Sequence, residues 1–204
     1  MCKLINFFPR FRVLFYKRWN KFFMWLLGVQ YGSNLNVFNR IYIAGAGKII
    51  IGNNFVFTSG DNINPICRNI KGSIYTMSKD ARIIIGDNVG ISSACIWANS
   101  QILIGNNVNI GGDCLILDND AHPHKFLERR TDFFKNIPRE KYFKIIPSAP
   151  IEICDDVWIG ARCQILKGVT IGERSIIGAG SIVTNDVPAD CIAAGNPCKV
   201  IKRL

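Results

Sequence analysis

Apolar and polar side chains follow a helical period in the first thirty residues of the chain. Five large apolar side chains fall on one side of a helical wheel: Phe15, Trp19, Phe22, Phe23 and Leu26. Three basic side chains fall on the other side: Lys17, Arg18 and Lys21. The pattern predicts a basic amphipathic helix that begins near Pro9 and occupies a separate N-terminal segment, residues 1–32.

Beyond about Asn34 the helical period gives way to a repeat of six residues. Six aliphatic residues follow one another at that spacing: Ile153, Ile159, Ile165, Ile171, Ile177 and Val183. A small or β-branched residue comes four positions after each of them: Val157, Cys163, Val169, Ser175, Ser181 and Val187. Three short strands per coil of a triangular parallel β-helix have this period, so residues 33–204 are predicted to form one all-β solenoid.

The same pattern appears earlier in the chain at three places: Ile85-Gly86 with Ile91 and Trp97, Ile104-Gly105 with Ile110 and Ile116, and a degraded copy at Ile51-Gly52. In such a coil the aliphatic side chain points into the narrow interior, and glycine allows the turn that follows. Three cysteines occupy the small-residue position: Cys95, Cys114 and Cys163. We expect them to be small core residues rather than catalytic thiols.

Composition is that of a globular protein, with 204 residues, 49% hydrophobic and 20% charged. The formal charge of +10 suits nucleic acid, an anionic membrane surface or a phosphate-bearing small molecule. Outside the N-terminal helix, aromatic and basic residues are not interleaved on one face, so nucleic acid is not an expected partner. Eight cysteines without a CxxC pair or a cleavable signal peptide favour a reduced, cytoplasmic setting, and charges interrupt any spanning helix.

Both histidines lie in the segment DNDAHPH, residues 118–124. Counting in steps of six along the preceding aliphatic series reaches His122, which this register places among the interior residues. About thirty residues without a hexapeptide follow, which predicts a long inserted loop at about 122–150. The residues alone leave three interpretations open: a proton-transfer site, a metal site or a polar turn.

From Asp118 to the C-terminus the chain carries the motifs DNDAHP, VWIGA, LKGVTIG, IGAGSIV and AGNPCKVI. With the hexapeptides from about Ile51 to Val187, these motifs resemble the hexapeptide-repeat acyltransferases, in particular the maltose, galactoside and polysaccharide O-acetyltransferase branch. The resemblance implies a left-handed parallel β-helix that transfers acetyl from acetyl-CoA to a carbohydrate hydroxyl. It also implies a homotrimer with active sites between subunits.

On that resemblance, His122 matches the general base, and Asp120 is the residue expected to orient its ring. Asn99 and Asp118 are expected to bind the acceptor, whereas His124 has no implied role. Eight residues match the groove for acetyl-CoA: Trp158, Gly160, Ala161, Gly178, Ala179, Thr184, Lys199 and Lys202. No metal is expected, because carbonic anhydrases of this fold use three histidines and the chain has two.

Two other functions stay open: an N-acetyltransferase of an amino sugar, and a non-catalytic trimeric scaffold. The N-terminal helix also has two interpretations. In the first, residues 1–30 contact an anionic membrane and would hold the protein at the inner face of that membrane. In the second, the helix packs on the main domain or on a partner subunit. A C-terminal tail at about 188–204 is expected to follow the last hexapeptide.

Overall fold

The structure is a computed structural model that describes residues 7–60, 66 and 70–204. Three helices are present in these ranges: α1 (Phe7–Leu26), α2 (Thr131–Asn136) and α3 (Arg139–Ile145). The strands, in chain order, are β1 (Gln30–Tyr31), β2 (Asn36–Phe38), β3 (Tyr42–Gly45), β4 (Lys48–Ile51), β5 (Val56–Thr58), β6 (Ser73–Thr76), β7 (Arg82–Ile85), β8 (Gly90–Ser92), β9 (Cys95–Ala98), β10 (Gln101–Ile104), β11 (Asn109–Ile110), β12 (Leu115–Leu117), β13 (Ile151–Ile153), β14 (Trp158–Ile159), β15 (Gln164–Leu166), β16 (Thr170–Ile171), β17 (Ile176–Ile177), β18 (Ile182–Val183), β19 (Cys191–Gly195) and β20 (Cys198–Arg203).

Successive strands pass from one sheet to the next, so three strands complete each coil. The first sheet has the order β1-β4-β7-β10-β13-β16, and the third has the order β3-β6-β9-β12-β15-β18. The second sheet runs β2-β5-β8-β11-β14-β17-β19-β20 and is parallel except for its last pair, β19 and β20. This arrangement confirms the predicted triangular solenoid of parallel strands.

The interior of the solenoid is filled by the aliphatic series that defines the six-residue repeat. Ile153 pairs in register with Ile171, and the next two strands of these coils align in the same way. All six members of the series are at most 1% exposed. Each coil donates its backbone hydrogen bonds to the next, so equivalent side chains stack at the strand spacing of about 4.8 Å. The predicted core therefore forms as the sequence indicates.

The register slips by one residue in the third coil. Ile96, not Trp97, lies in the interior opposite Ile116, and Ala94 fills the buried corner that was assigned to Cys95. Ile96 follows Ile91 after five positions instead of six. Because successive side chains of a strand point to opposite faces, Trp97 then points outward. The interpretations of Trp97 and Cys95 were therefore wrong. Cys114 and Cys163 are fully buried, as predicted.

Helix α1 packs on β2 with the side opposite to its aromatic stripe. The Asn20 side chain donates to the Asn39 carbonyl at 2.8 Å, and Met24 is fully buried at the end of the solenoid core. Lys17 donates to the Asn36 side chain at 2.9 Å. The helix already begins at Phe7, residues 1–6 of the predicted N-terminal segment lie outside the described ranges, and the first strand pairs from Gln30.

Candidate active site

The long inserted segment leaves the solenoid after β12, and Asp118 fixes the exit. The Asp118 carboxylate accepts one hydrogen bond from the backbone N–H of Asn99 and one from that of Ser100, each at 2.7 Å. The side chain is fully buried. Burial raises the pKa of Asp118, and hydrogen bonds from Asn119, Asn99 and Ser100 act in the opposite direction. Asp118 therefore holds the corner of the preceding coil, and its binding of an acceptor stays a prediction.

Asn99 ties the return path of the inserted segment to the same corner. Its side-chain amide donates to the Phe143 carbonyl at 2.9 Å and to Ser148 Oγ at 2.7 Å. Asn119 and Ser148 also form an isolated antiparallel bridge. Asn99 lines a cavity of about 450 Å³ between this corner and the end of α3, with Asp80 and Lys144 also on its wall. Its amide is occupied by the protein, so the cavity rather than the amide offers room for a ligand.

His122 lies outside the solenoid, with an exposed side chain. The interior position that the register assigned to it is therefore wrong, because the chain has already left the coil at Asp118. His122 Nδ1 lies 3.1 Å from the Tyr142 hydroxyl. Tyr142 is 4% exposed and packs in a small apolar cluster with Met77, Phe143 and Ile146. When Nδ1–H donates to the Tyr142 oxygen, Nε2 is left unprotonated and can accept a proton from a ligand.

Asp120 contacts the side chains of His124 and Lys167 and not the His122 ring. One oxygen lies 2.6 Å from His124 Nε2, and the other lies 2.7 Å from Lys167 Nζ. Partial burial would raise the pKa of Asp120, but the bonds from Lys167 and His124 outweigh it and hold that pKa below its usual range. The expected orienting contact is thus made by Tyr142 instead. Asp120 shapes the segment that carries His122, whose backbone N–H donates to the Asp120 carbonyl at 2.7 Å.

The pKa of Asp120 leads to a testable prediction. Because the pKa of Asp120 is lower in the folded than in the unfolded protein, its bridge to Lys167 stabilises the fold at pH values above the unfolded pKa of about 3.9. This stabilisation is lost as the pH falls through the folded pKa. Lys167→Ala should move the carboxyl titration of Asp120, followed by NMR, to higher pH. Lys125→Ala, which removes an exposed lysine paired with Glu128, is the matched control. An unchanged Asp120 titration in Lys167→Ala would contradict the bridge.

The residues assigned to acetyl-CoA lie at the C-terminal end of the solenoid. Trp158 is 56% exposed on the outer face of the second sheet. In the same row follow Ile176, Ile192 and Lys202, each paired in register with its neighbour. Trp158 and Lys202 therefore share one surface, with two aliphatic residues between them.

The small residues of the set form a tight corner. A side chain at Gly160 would meet the Ala179 backbone nitrogen at 2.6 Å, and one at Gly178 would meet Ala194 Cβ at 2.8 Å. Ala161 belongs to the same stack, because a side chain at Gly111 would meet the Ala161 backbone nitrogen at 2.5 Å. Coil packing thus requires these glycines whether or not a ligand binds.

The remaining two candidates lie at exposed edges. Thr184 follows β18 and its hydroxyl donates to the Asn185 side chain at 2.9 Å. Lys199 lies on β20, next to Ala194 of the antiparallel partner strand, and its side chain is exposed. In the residues that the structure describes, no group of three or more His, Cys, Asp or Glu side chains could hold a metal ion.

Tyr142 and Lys167 are site residues that the sequence interpretation missed. Lys167 falls inside the quoted LKGVTIG motif, so a signal for it was present. Tyr142 lies on α3 in the inserted segment, where neither a motif nor a repeat marks it.

Comparisons with known proteins match part of the chain. The family described as bacterial transferase hexapeptide (six repeats) matches residues 150–185. A putative acetyltransferase of Staphylococcus aureus (strain COL) is 41% identical over 120 residues, 59% of this chain and 54% of the relative. The galactoside O-acetyltransferase of Escherichia coli (strain K12) is 37% identical over 150 residues, 72% of this chain and 57% of the relative. The chain spans about half the length of these curated relatives.

Among solved structures, a maltose O-acetyltransferase from Clostridium difficile 630 superposes with a TM-score of 0.50 at 34% identity. The match covers 60% of this chain and 59% of that one. Together with the three parallel sheets, these similarities confirm the predicted left-handed parallel β-helix with an N-terminal helix and a long insertion between coils.

Proposed function

We propose, from the hexapeptide match and the fold, that the chain is a hexapeptide-repeat transferase and that it transfers an acetyl group from acetyl-CoA to a carbohydrate hydroxyl. The acceptor would be a surface polysaccharide or a glycan precursor. The observation that supports this best is the position of His122, exposed at the mouth of the inserted segment and held through Nδ1 by a buried tyrosine. Similarity to a galactoside and a maltose O-acetyltransferase supports a sugar as acceptor.

In the proposed mechanism, His122 Nε2 takes the proton of the acceptor hydroxyl as its oxygen attacks the thioester carbonyl carbon. The tetrahedral intermediate then collapses, the carbon–sulfur bond breaks, and the departing sulfur receives the proton from the imidazolium. Tyr142 would keep the ring oriented by accepting a hydrogen bond from Nδ1–H. A backbone N–H or side-chain donor would stabilise the oxyanion. No covalent enzyme intermediate and no metal is needed.

The donor site is proposed on the outer surface that Trp158 and Lys202 share, with Lys199 at its edge. Lysine side chains suit the phosphates of CoA, and an exposed indole offers an apolar face for the pantetheine arm. In a homotrimer, this surface of one subunit and His122 of a neighbour would enclose the site between them. The reaction would take place in the cytoplasm, where acetyl-CoA is available.

Replacing Trp158 should weaken the donor site without unfolding the chain. Because the side chain is 56% exposed, Trp158→Ala should raise the KM for acetyl-CoA about tenfold, a loss of about 1.4 kcal/mol, with little change in the melting temperature. Val200→Ala, which shortens a side chain 46% exposed on β20, is the control. Equal KM values for the two variants would remove Trp158 from the proposed donor site.

Release of free thiol from acetyl-CoA, measured with a panel of sugars, tests the function. Turnover that depends on a sugar with only hydroxyl groups supports O-acetylation, whereas turnover restricted to amino sugars favours the N-acetyltransferase alternative. A non-catalytic scaffold predicts no acceptor-dependent thiol release with any sugar. Light scattering of the purified chain tests the trimer separately from activity.

A further inference from the structure

Helix α1 presents an apolar surface that the rest of the described chain does not cover. Six large apolar side chains of this helix are 37–71% exposed: Leu14, Phe15, Trp19, Phe22, Trp25 and Leu26. The opposite side is already held against the solenoid by Asn20 and Met24. The helix thus packs on the main domain, but apart from the half-buried Phe23 its predicted apolar stripe faces away from that domain. Monomeric soluble proteins rarely leave so large a contiguous apolar patch in water.

The exposed side chains form an ordered ridge. Phe15 stacks on Trp19 with ring centroids 5.7 Å apart, and Phe22 contacts Trp25 at 6.1 Å. A shallow hollow of about 580 Å³ runs along the ridge, and Arg18 lies on its wall beside the aromatic rings. Arg18 is therefore part of the aromatic side, not opposite to it as the helical wheel suggested, while Lys21 is exposed nearby. Aromatic rings mixed with exposed cations are typical of helices that lie in a membrane interface.

The charge of the N-terminal region indicates which kind of partner this surface suits. The first 60 residues contain no Asp or Glu and eight basic residues: Lys3, Arg10, Arg12, Lys17, Arg18, Lys21, Arg40 and Lys48. Most of the formal charge of +10 thus resides at this end of the chain. A second copy docked through the same face would bring Arg18 and Lys21 against their own equivalents, with no carboxylate from this region to pair them. Anionic lipid head groups supply that negative charge.

We propose that α1 binds the surface of an anionic bilayer. The helix lies in the plane of the interface, with Trp19, Phe22 and Trp25 among the upper acyl chains and with Arg18 and Lys21 on lipid phosphates. No helix in the described ranges is long and apolar enough to cross a membrane, and surface binding needs no such helix. This inference is independent of the proposed acetyl transfer, because binding is measured without acetyl-CoA or an acceptor.

Co-sedimentation of the full chain with lipid vesicles tests the proposal. Wild type should bind vesicles of phosphatidylcholine with phosphatidylglycerol, and should bind pure phosphatidylcholine much less. The double variant Trp19→Ala/Trp25→Ala should lose at least about tenfold in partition, since it removes two interfacial anchors. Arg18→Gln/Lys21→Gln should lose the preference for the anionic lipid, and added salt should do the same. Phe126→Ala, at a ring 64% exposed elsewhere on the chain, is the matched control and should bind as wild type does.

The conservative double variant Trp19→Phe/Trp25→Phe should retain binding, which separates loss of the apolar surface from loss of the fold. Equal binding by wild type and by a folded Trp19→Ala/Trp25→Ala variant would overturn the proposal, as would no binding of wild type to anionic vesicles. Sedimentation without vesicles gives a third outcome. A lower mass for Trp19→Ala/Trp25→Ala than for wild type would assign the surface to a second copy and contradict membrane binding.

Discussion

His122→Ala should lower kcat for acetyl transfer by about 10²- to 10⁴-fold while the melting temperature stays within a few degrees of wild type. The ring is exposed, so its removal leaves no cavity in the core. In the proposed mechanism, the reaction loses the group that takes the proton from the acceptor hydroxyl as the new bond forms. Thiol release from acetyl-CoA at saturating acceptor measures the effect.

His124→Ala provides the matched control for this variant. It removes the other histidine of the chain, which is exposed two residues away and bonded to Asp120. Its kcat should change far less than that of His122→Ala. Tyr142→Phe keeps the ring in the apolar cluster but removes the partner of Nδ1, so it should shift the pH profile of kcat and lower its maximum. Comparable losses in His122→Ala and His124→Ala would show that neither ring is the base.

Asp118→Ala should lower the free energy of unfolding by about 2–5 kcal/mol, because it leaves two partly buried backbone N–H groups without their buried acceptor. Those groups belong to Asn99 and Ser100, and each now donates to the carboxylate at 2.7 Å. The corner that holds both ends of the inserted segment would loosen, so activity should fall together with stability. Urea denaturation followed by circular dichroism measures the loss.

Asp155→Ala is the control for Asp118→Ala. Asp155 also accepts a backbone hydrogen bond at 2.7 Å, from Asn106, but at a solvent-exposed turn where water can replace the carboxylate. Its replacement should cost less than about 1 kcal/mol. A similar small cost for Asp118→Ala would mean that water reaches the corner, and that Asp118 does not fix the exit of the inserted segment.

The solenoid could be predicted from the sequence because its environment repeats. Each coil places the same kind of residue at the same point, so Ile153, Ile171 and their equivalents report one structural requirement many times. Cys114 and Cys163 could be assigned to the core for the same reason. The slip at Ile96 was not visible, since Trp97 is also apolar and continues the six-residue count.

The candidate site depends on contacts that no period encodes. His122 could be selected from its flanking motif, but its partner Tyr142 comes from the inserted segment, which follows neither a helical nor a six-residue pattern. Asp118 and Asp120 have the same side chain two residues apart, and only the fold decides that one is buried and the other bridges to Lys167. The direction of the aromatic face of α1 likewise follows from Asn20 and Met24, which pack the helix on the solenoid.

The central claim is that the chain moves acetyl from acetyl-CoA to a carbohydrate hydroxyl, and the product of the reaction tests it most directly. Mass spectrometry of a sugar incubated with wild-type protein and acetyl-CoA should show one added acetyl group, which hydroxylamine removes because it is an ester. The same incubation with His122→Ala should yield little product. A product that resists hydroxylamine would be an amide and would contradict O-acetylation, and an unmodified sugar with every acceptor tested would contradict the enzymatic function itself.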